Sequence, residues 1–505
     1  MIVGDPALQM EQTSVPLAPG VRLMRWAVLA AAAGSILLYF LLVALRIGYP
    51  FELEIFEGMT ADHVDRILQG LPIYTAPSLD FVPNIYPPLF YYLAAGLAWI
   101  FGVNLWVLRL VSVTASIGCL VLLFLYVRRE TGSRFCGFLS AGFYAATYGV
   151  CSAWFDVARV DSLYLFFLLS GFYALRFQAT PRGGVLAGVL LALAFFTKQT
   201  TLSAALPVLG AVTLARPRQA GWCLVPLFLL AAGGSFLLDR LHPGGWYRAY
   251  VLEHLSQHAL QPNRGHVYWV RHIARHMPLI SLAALVALWK GFPDRTHWRE
   301  RLFLPALAVG LVATAWIGWW SVNGAENALM PDCALFALLT GILFHQAMKR
   351  TSSPSLQAGI CLLVLAQFAL VAYDPRERVP SRADREAGEA LIERLKQIDG
   401  DVWIASHGHL GRMAGKPIHG LYFDPLLDVA PWGMTPSPTI REQIDQAIRE
   451  RRFAALLVNE HRLYKDWWGD YYQDAGPVFP RRDVFWPVSG GKTRPKTIFV
   501  PRPKP

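Results

Sequence analysis

Long apolar runs separated by short polar stretches constrain this chain more than any other feature. The first extends from Trp26 to Leu45, follows Arg22 and Arg25, and has the roughly 20 residues that a membrane-spanning helix needs. Further runs follow at Leu105 to Val127, Phe135 to Ala153, Ser162 to Phe177, Val185 to Phe196, Leu202 to Ala215, Trp222 to Leu238, Met277 to Trp289, Leu302 to Trp320, Leu329 to Ala347 and Leu356 to Tyr373. We therefore predict an all-α polytopic membrane protein with about eleven transmembrane helices, some from runs shorter than a full span.

The composition supports this class and excludes others. Of 505 residues, 54% are hydrophobic and 16% are charged, which is too apolar for a soluble globule. The net charge of +11 comes from Lys and Arg in small groups between apolar runs, so we predict loops near a membrane and no nucleic-acid partner. The six cysteines show neither CxxC nor Cys/His spacing, so the sequence indicates no disulfide framework and no metal site.

The distribution of basic residues predicts the topology, because Lys and Arg in short loops tend to stay in the cytoplasm. With the N-terminus inside, every predicted inner loop is basic if the stretch from Pro88 to Gly102 lies on the outer leaflet without crossing. We accordingly expect a bacterial inner-membrane protein whose site faces the periplasm. Residues 1–20 are predicted to be a disordered cytoplasmic tail, followed by a retained first helix.

Three domains follow from this topology. Residues 21–373 form the predicted transmembrane domain, with long periplasmic loops at 46–104 and 239–276. Residues 374–505 change sharply in composition and are predicted to be a small periplasmic α/β domain. Its predicted elements are a helix from Arg382 to Ile398, a strand from Val402 to Ala405, a helix from Ile440 to Arg451 and a strand from Ala454 to Val458.

Carboxylates cluster where the first predicted helix ends. The segment YPFELEIFEG carries Glu52, Glu54 and Glu57. On a helix, Glu54 and Glu57 would share a face, and mutual proximity with partial burial would raise the pKa of at least one carboxyl towards that of a general base. A solvated acidic loop explains the same cluster.

Further ionisable residues lie at two predicted outer helix ends. The segment WFDVARVDSLYLFF contains Asp156, Arg159 and Asp161, which either act in chemistry or form a helix cap with a neutralising cation. Lys198, in FFTKQTT, is predicted to face outwards against the positive-inside trend, where it could hold a lipid phosphate or extend to the membrane surface.

The remaining candidates lie in later predicted outer segments. The loop at 239–276 is basic and rich in histidine, which suits a phosphate or an anionic acceptor. In WWSVNGAENALMP, Asn323, Glu326 and Asn327 follow two tryptophans, which indicates either sugar contacts or an interfacial aromatic belt. The chain has no GxxxxGK[ST] motif and no GxGxxG after a strand, so no nucleotide cofactor is predicted.

The order of these features resembles a known superfamily. An acidic loop after the first helix is followed by LQGLPIY, IYPPLFYYL, RLVS, the aspartate-bearing loop before LYLFFLL, and AFFTKQT. This series resembles the polytopic GT-C glycosyltransferases, particularly bacterial relatives of protein O-mannosyltransferases and of the aminoarabinose transferase of lipid A. The resemblance covers about Trp26 to Leu214.

The resemblance implies an inverting transfer of a hexose or pentose from a polyprenyl-phosphate-linked donor to a lipid, glycan or protein acceptor. It implies a first-loop carboxylate as base, with Glu57 as the first candidate and Glu54 as the second, and it assigns orientation of the acceptor or base to Asp156 or Asp161. Where the aminoarabinose branch has a lysine before Pro-Pro, this chain has Tyr86, so Lys198 and Arg159 are the candidates for binding the donor phosphate. The substrate-binding candidates are Tyr86, Asn323 and Glu326. A transporter or flippase for a lipid-linked or sugar substrate is the alternative, and a noncatalytic membrane subunit is a further one.

Overall fold

A computed structural model describes residues 18–253, 260–291, 298–321, 324–419, 438–459 and 468–503 of the chain. The membrane-domain helices are α1 (Pro19–Arg46), α2 (Glu57–Leu68), α3 (Leu89–Phe101), α4 (Leu105–Thr131), α5 (Arg134–Ala146), α6 (Val160–Phe177), α7 (Pro181–Thr197), α8 (Thr201–Ala215), α9 (Pro217–Leu241), α10 (Pro278–Gly291), α11 (Phe303–Trp320), α12 (Met330–Arg350) and α13 (Pro354–Leu370). Short helical turns lie at Trp246–Arg248, Ala249–Glu253, Arg264–Val267, Tyr268–Ala274, Trp298–Arg301, Glu326–Leu329 and Pro375–Arg378.

Each of the predicted apolar runs forms a helix, which confirms the predicted fold class. Within the described ranges, six helices are long and apolar enough to cross a membrane, or seven if the pair Pro354–Leu370 and Pro375–Gln397, bent by 50°, is one span. Helices α5, α7 and α8 have 13, 17 and 15 residues and are too short for this criterion. The number of about eleven crossings stays a prediction.

The helix ends follow local sequence signals. Thr180 caps α7 by accepting a hydrogen bond from the Gly183 N–H at 3.1 Å, and Pro181 occupies the first helical position, where a missing N–H costs nothing. Ser133 caps α5 in the same way, through the Cys136 N–H at 3.2 Å. Between α4 and α5, Gly132 adopts the left-handed conformation that commonly ends a helix.

The third predicted run is corrected at its end. Helix α5 stops at Ala146, and residues 147–159 form a series of turns instead of continuing to Ala153. Two residues of these turns, Ser152 and Ala153, have φ values of 48° and 58°, in the left-handed region that no helix of L residues uses. The turns carry Trp154, Asp156 and Arg159 into the interior, where all three are buried.

The C-terminal unit combines helices with a small mixed sheet. Its elements are α14 (Arg382–Gln397), β1 (Val402–Ile404), α15 (His409–Met413), α16 (Pro438–Arg449), β2 (Ala455–Val458), β3 (Tyr472–Pro477) and β4 (Thr497–Pro501). In the described part of this unit the strand order is β1-β2-β4-β3, with β1 parallel to β2 and the other pairs antiparallel. The two predicted helices and two predicted strands are present, and β3 and β4 were not predicted.

The C-terminal unit packs closely against the first long loop, residues 46–104. The ring of Phe51 lies 5.2 Å from that of Phe485, and Leu79 is buried beside Trp403 and Ile444. Both loop residues have apolar side chains, and burial against the C-terminal unit removes them from water. The predicted domain boundary therefore separates sequence segments that share an interface.

Candidate functional site

A cavity of about 390 Å³ lies where the first long loop meets α6, the end of α7 and the segment before α12. We call it the central cavity. Its lining includes Phe56, Asn84, Ile85, Tyr86, Trp154, Arg159, Asp161, Tyr164, Lys198, Gln199, Thr200, Ser203, Thr314, Gly324, Asn327 and Pro331. Most of the wall is apolar or aromatic, and its charged groups among the described residues are one carboxylate, Asp161, and two cations, Arg159 and Lys198.

Arg159 enters the cavity between aromatic rings. Its guanidinium carbon lies 4.7 Å from the centre of the Phe56 ring, 5.4 Å from Tyr86 and 5.5 Å from Trp154. Its Nη1 is 3.9 Å from Oε2 of Glu54, and its buried Nε makes no hydrogen bond within the described part of the chain. An arginine held by ring faces, with an unused donor, is suited to bind an anion.

Glu54 lies directly behind Arg159 and is 1% exposed. Its Oε2 accepts a hydrogen bond of 3.0 Å from the Phe56 N–H. Burial raises the pKa of Glu54 to about 8, and Arg159 and the Phe56 N–H counteract only part of this effect. The carboxyl group is therefore poised to exchange a proton near neutral pH.

Asp161 and Lys198 form the second charged pair. Lys198 Nζ donates to Asp161 Oδ1 at 2.6 Å, and the Asn327 side chain donates to the same oxygen at 3.0 Å. Oδ2 of Asp161 is buried and has no hydrogen-bond partner among the residues described. Lys198 follows the last residue of α7, and its ammonium lies 5.6 Å from the Tyr86 ring centre. The pair thus leaves one carboxylate oxygen available beside a cation.

Glu57 has a different environment. Arg109 holds it through two hydrogen bonds of 2.8 and 2.7 Å, and the Leu53 and Ala158 N–H groups donate to it at 2.7 and 2.8 Å. The carboxylate is fully buried, and Glu57 begins α2 while Glu54 precedes it, so the two do not share a helix face. This arrangement fixes the loop to α4 and to the turns before α6.

Asp156 also serves an internal ion pair. Arg46 donates to its two oxygens at 2.8 and 3.1 Å, and the Tyr148 hydroxyl donates at 2.8 Å. Asp156, Glu57 and Glu54 are all absent from the lining of the central cavity. Asp156 and Glu57 fasten the loops that carry the cavity residues.

The predicted substrate-binding residues differ in where the structure places them. Tyr86 lines the cavity, whereas Glu326 lies outside its lining and the neighbouring Asn327 takes a place in the wall. Asn323 lies outside the described residues. Trp154 and Gln199 were not predicted, although Gln199 directly follows Lys198 in the sequence; its side chain donates to the Ile85 carbonyl at 2.9 Å. Across the described ranges, no group of three His, Cys, Asp or Glu side chains forms a metal-binding cluster.

Comparisons with known proteins bear on this site. Residues 86–238 match the family of dolichyl-phosphate-mannose-protein mannosyltransferases. The crystal structure of ArnT from Cupriavidus metallidurans bound to undecaprenyl phosphate is similar with a TM-score of 0.60 and 13% identity, over 94% of this chain and 98% of that one. The archaeal oligosaccharyltransferase AglB from Archaeoglobus fulgidus, in complex with an inhibitory peptide and a dolichol-phosphate, has a TM-score of 0.54 and 12% identity, over 94% and 74% of the two chains. No curated protein sequence matches the chain.

The chain is a multi-pass membrane protein with the fold of the GT-C glycosyltransferases. The family match over residues 86–238, together with both structural likenesses, supports a membrane glycosyltransferase of this superfamily. The resemblance found in the sequence motifs is thereby confirmed.

Proposed function

We propose that the protein transfers a sugar from a polyprenyl-phosphate-linked donor to a hydroxyl or amine of a lipid, glycan or protein acceptor at the periplasmic face of a bacterial inner membrane. The observation that carries the proposal is the placement of Arg159 and Lys198 in the wall of one cavity, with the buried carboxyl of Glu54 directly behind Arg159. The structures of ArnT with undecaprenyl phosphate and of AglB with a dolichol-phosphate support a lipid phosphate as the ligand of this fold.

In this proposal the two cations serve the leaving group. The bond between the anomeric carbon and the phosphate oxygen breaks, and polyprenyl phosphate leaves with the electron pair. Negative charge that develops on the phosphate is stabilised by Lys198 and by Arg159, whose Nε–H has no hydrogen-bond partner in the part of the chain that the structure describes. In this proposal Asp161 holds Lys198 in position and orients the acceptor through Oδ2, which accepts no hydrogen bond from any described residue.

Glu54 is the proposed general base. The acceptor oxygen or nitrogen attacks the anomeric carbon from the face opposite the phosphate, with inversion, while its proton passes to the Glu54 carboxylate. Glu54 is favoured over Glu57 because both oxygens of Glu57 are already engaged: they accept four hydrogen bonds, two of them from Arg109. A displacement of the Phe56 ring, which lies in the cavity wall, would open the path to Glu54.

The test is transfer from a defined polyprenyl-phosphate sugar by the purified protein in vesicles. Mass spectrometry of bound lipid first identifies the carrier and its sugar. We expect Glu54→Gln to reduce turnover by about 10² to 10⁴-fold while the protein still folds and binds the donor. Full turnover by this variant would refute the role of Glu54, and passage of the intact donor across the bilayer without transfer would instead establish the transporter alternative.

A further inference from the structure

A short segment of the C-terminal unit lies between the two loops that carry the cavity residues. The Ser489 N–H donates to the Leu53 carbonyl at 2.9 Å, next to Glu54 in the first long loop. The Ser489 hydroxyl donates to the Ala153 carbonyl at 3.0 Å and accepts from Arg46 Nη2 at 2.8 Å. Ser489 thus joins α1, the first loop and the turns before α6, although it lies more than 300 residues along the chain from each of them.

The next residue, Gly490, packs against Trp154 of the cavity wall and against Glu54, the proposed base. A Cβ atom placed on Gly490 would lie 2.8 Å from Cζ2 of Trp154 and 3.1 Å from Cγ of Glu54. The backbone of Gly490 therefore occupies the space that any side chain at this position would take from Trp154 and Glu54. Its φ of 62° is also in the region that favours glycine.

A second contact fastens the same loop two residues earlier. His407 Nδ1 and His409 Nδ1 lie 2.5 and 3.1 Å from the two oxygens of Glu52, which is buried. The Gly58 N–H donates to Glu52 at 3.2 Å, so this carboxylate also holds the start of α2. The loop between residues 52 and 58 is therefore held by the C-terminal unit on either side of Glu54.

We propose that the C-terminal unit is part of the active site, and that Gly490 is a positioning residue that sets the place of Glu54 and Trp154 beside Arg159. This inference rests on the proposed function of Glu54 as the base. None of the described residues of the unit lines the central cavity, and in this inference they fix the distance between the base and the cation.

The test compares Gly490→Ala with Gly491→Ala in the vesicle assay. Gly491 is the matched control because a Cβ atom added there meets nothing within 4 Å. A shift of the base by about 1 Å costs on the order of 100-fold in rate, so we expect the kcat of Gly490→Ala to fall by about that factor with the donor KM within about twofold of wild type. Gly491→Ala should retain the wild-type kcat and KM.

A double-mutant cycle separates positioning from simple loss of folding. Trp154→Leu removes the first ring that the new methyl group meets, so adding Gly490→Ala to Trp154→Leu should cost less kcat than adding it to wild type. Backbone strain at a left-handed residue is the same in both backgrounds and cancels. Equal costs in the two backgrounds, or equal kcat values for the two alanine variants, would overturn the inference. A wild-type protein that transfers no sugar, or a Glu54→Gln variant that transfers normally, would instead refute the proposed function.

Discussion

The dependence of transfer on pH tests the assignment of Glu54 most directly. A base must be ionised to accept a proton, and the pKa of Glu54 is raised to about 8 because the carboxyl is buried. At pH 7 about 9% of the free enzyme then has an ionised Glu54, and at pH 9 about 91% has one. We therefore expect kcat/KM to rise about tenfold between pH 7 and pH 9.

The assay is initial-rate transfer in vesicles buffered on both sides, at donor concentrations far below KM so that the rate reports kcat/KM. The pH dependence of kcat/KM reports pKa values of the free enzyme, so the rise in kcat/KM reflects ionisation of Glu54 before the donor binds. Glu54→Gln is the control, because its residual rate should lose the rise with pH. If kcat/KM of the wild type rises with a pKa near the ordinary glutamate value of 4.5, or stays constant from pH 6 to pH 9, Glu54 is not the base.

Three further predictions follow from single contacts. Arg109→Met leaves the buried Glu57 without its cation and should lower the free energy of unfolding by about 3 to 5 kcal/mol, seen as an earlier thermal transition in detergent; an unchanged transition contradicts this. Lys198→Met should raise the donor KM about tenfold or more, and an unaltered KM would argue against phosphate binding there. Burial lowers the pKa of His63 to about 4, so between pH 6.5 and pH 4 the unfolded protein binds a proton at this imidazole and the folded protein does not. The free energy of unfolding of the wild type should therefore fall by roughly 1.4 kcal/mol for each pH unit as the pH falls from 6.5 towards 4. The fall should be smaller in His63→Phe.

The helices could be predicted because membrane spans leave a strong signal. A run of apolar residues long enough to cross a bilayer has few other stable conformations, since every backbone polar group must be satisfied within the segment. The predicted end of the third run was wrong because Tyr148, Val150 and Cys151 are as apolar as a helix would require. The left-handed conformations of Ser152 and Ala153, which end the run, depend on tertiary packing that the residue types do not indicate.

The sequence predicts part of the candidate site. The rest depends on contacts with residues that are far away in the sequence. Lys198 could be identified from the sequence because an outward-facing cation departs from the positive-inside trend. In the structure this cation pairs with Asp161. The spacing of Glu54 and Glu57 could not rank them. Their difference comes from Arg109, about fifty residues away, which engages Glu57 and leaves Glu54 beside the looser contact with Arg159.

The contacts between the C-terminal unit and the first long loop could not be predicted either, because they also join residues far apart in the sequence. Strand β3 has the sequence YQDAGP, a polar segment without the alternation that marks a half-buried strand. The role of Ser489 and Gly490 depends on backbone groups that meet the first loop across the whole length of the chain. Neither residue type carries a signal for such a contact.

The charge balance of the cavity leads to a last prediction, about binding of the carrier lipid. The contact of Glu54 with Arg159 is loose, at 3.9 Å, and with a pKa of about 8 Glu54 is mostly protonated at pH 7. The nearby carboxylate that then still opposes the charge of Arg159 is Asp161, which is already paired with Lys198, so Arg159 favours a phosphate. Above pH 8, Glu54 ionises and competes with the ligand for Arg159, so the affinity for a short-chain polyprenyl phosphate should fall up to about tenfold per pH unit. The second ionisation of the phosphate, near pH 6, is complete in this range and does not contribute. Titration calorimetry in detergent at pH 7, 8 and 9 measures the change, and Glu54→Gln should bind with the same affinity at all three. An affinity of the wild type that is constant from pH 7 to pH 9 would show that Glu54 and the phosphate do not share Arg159.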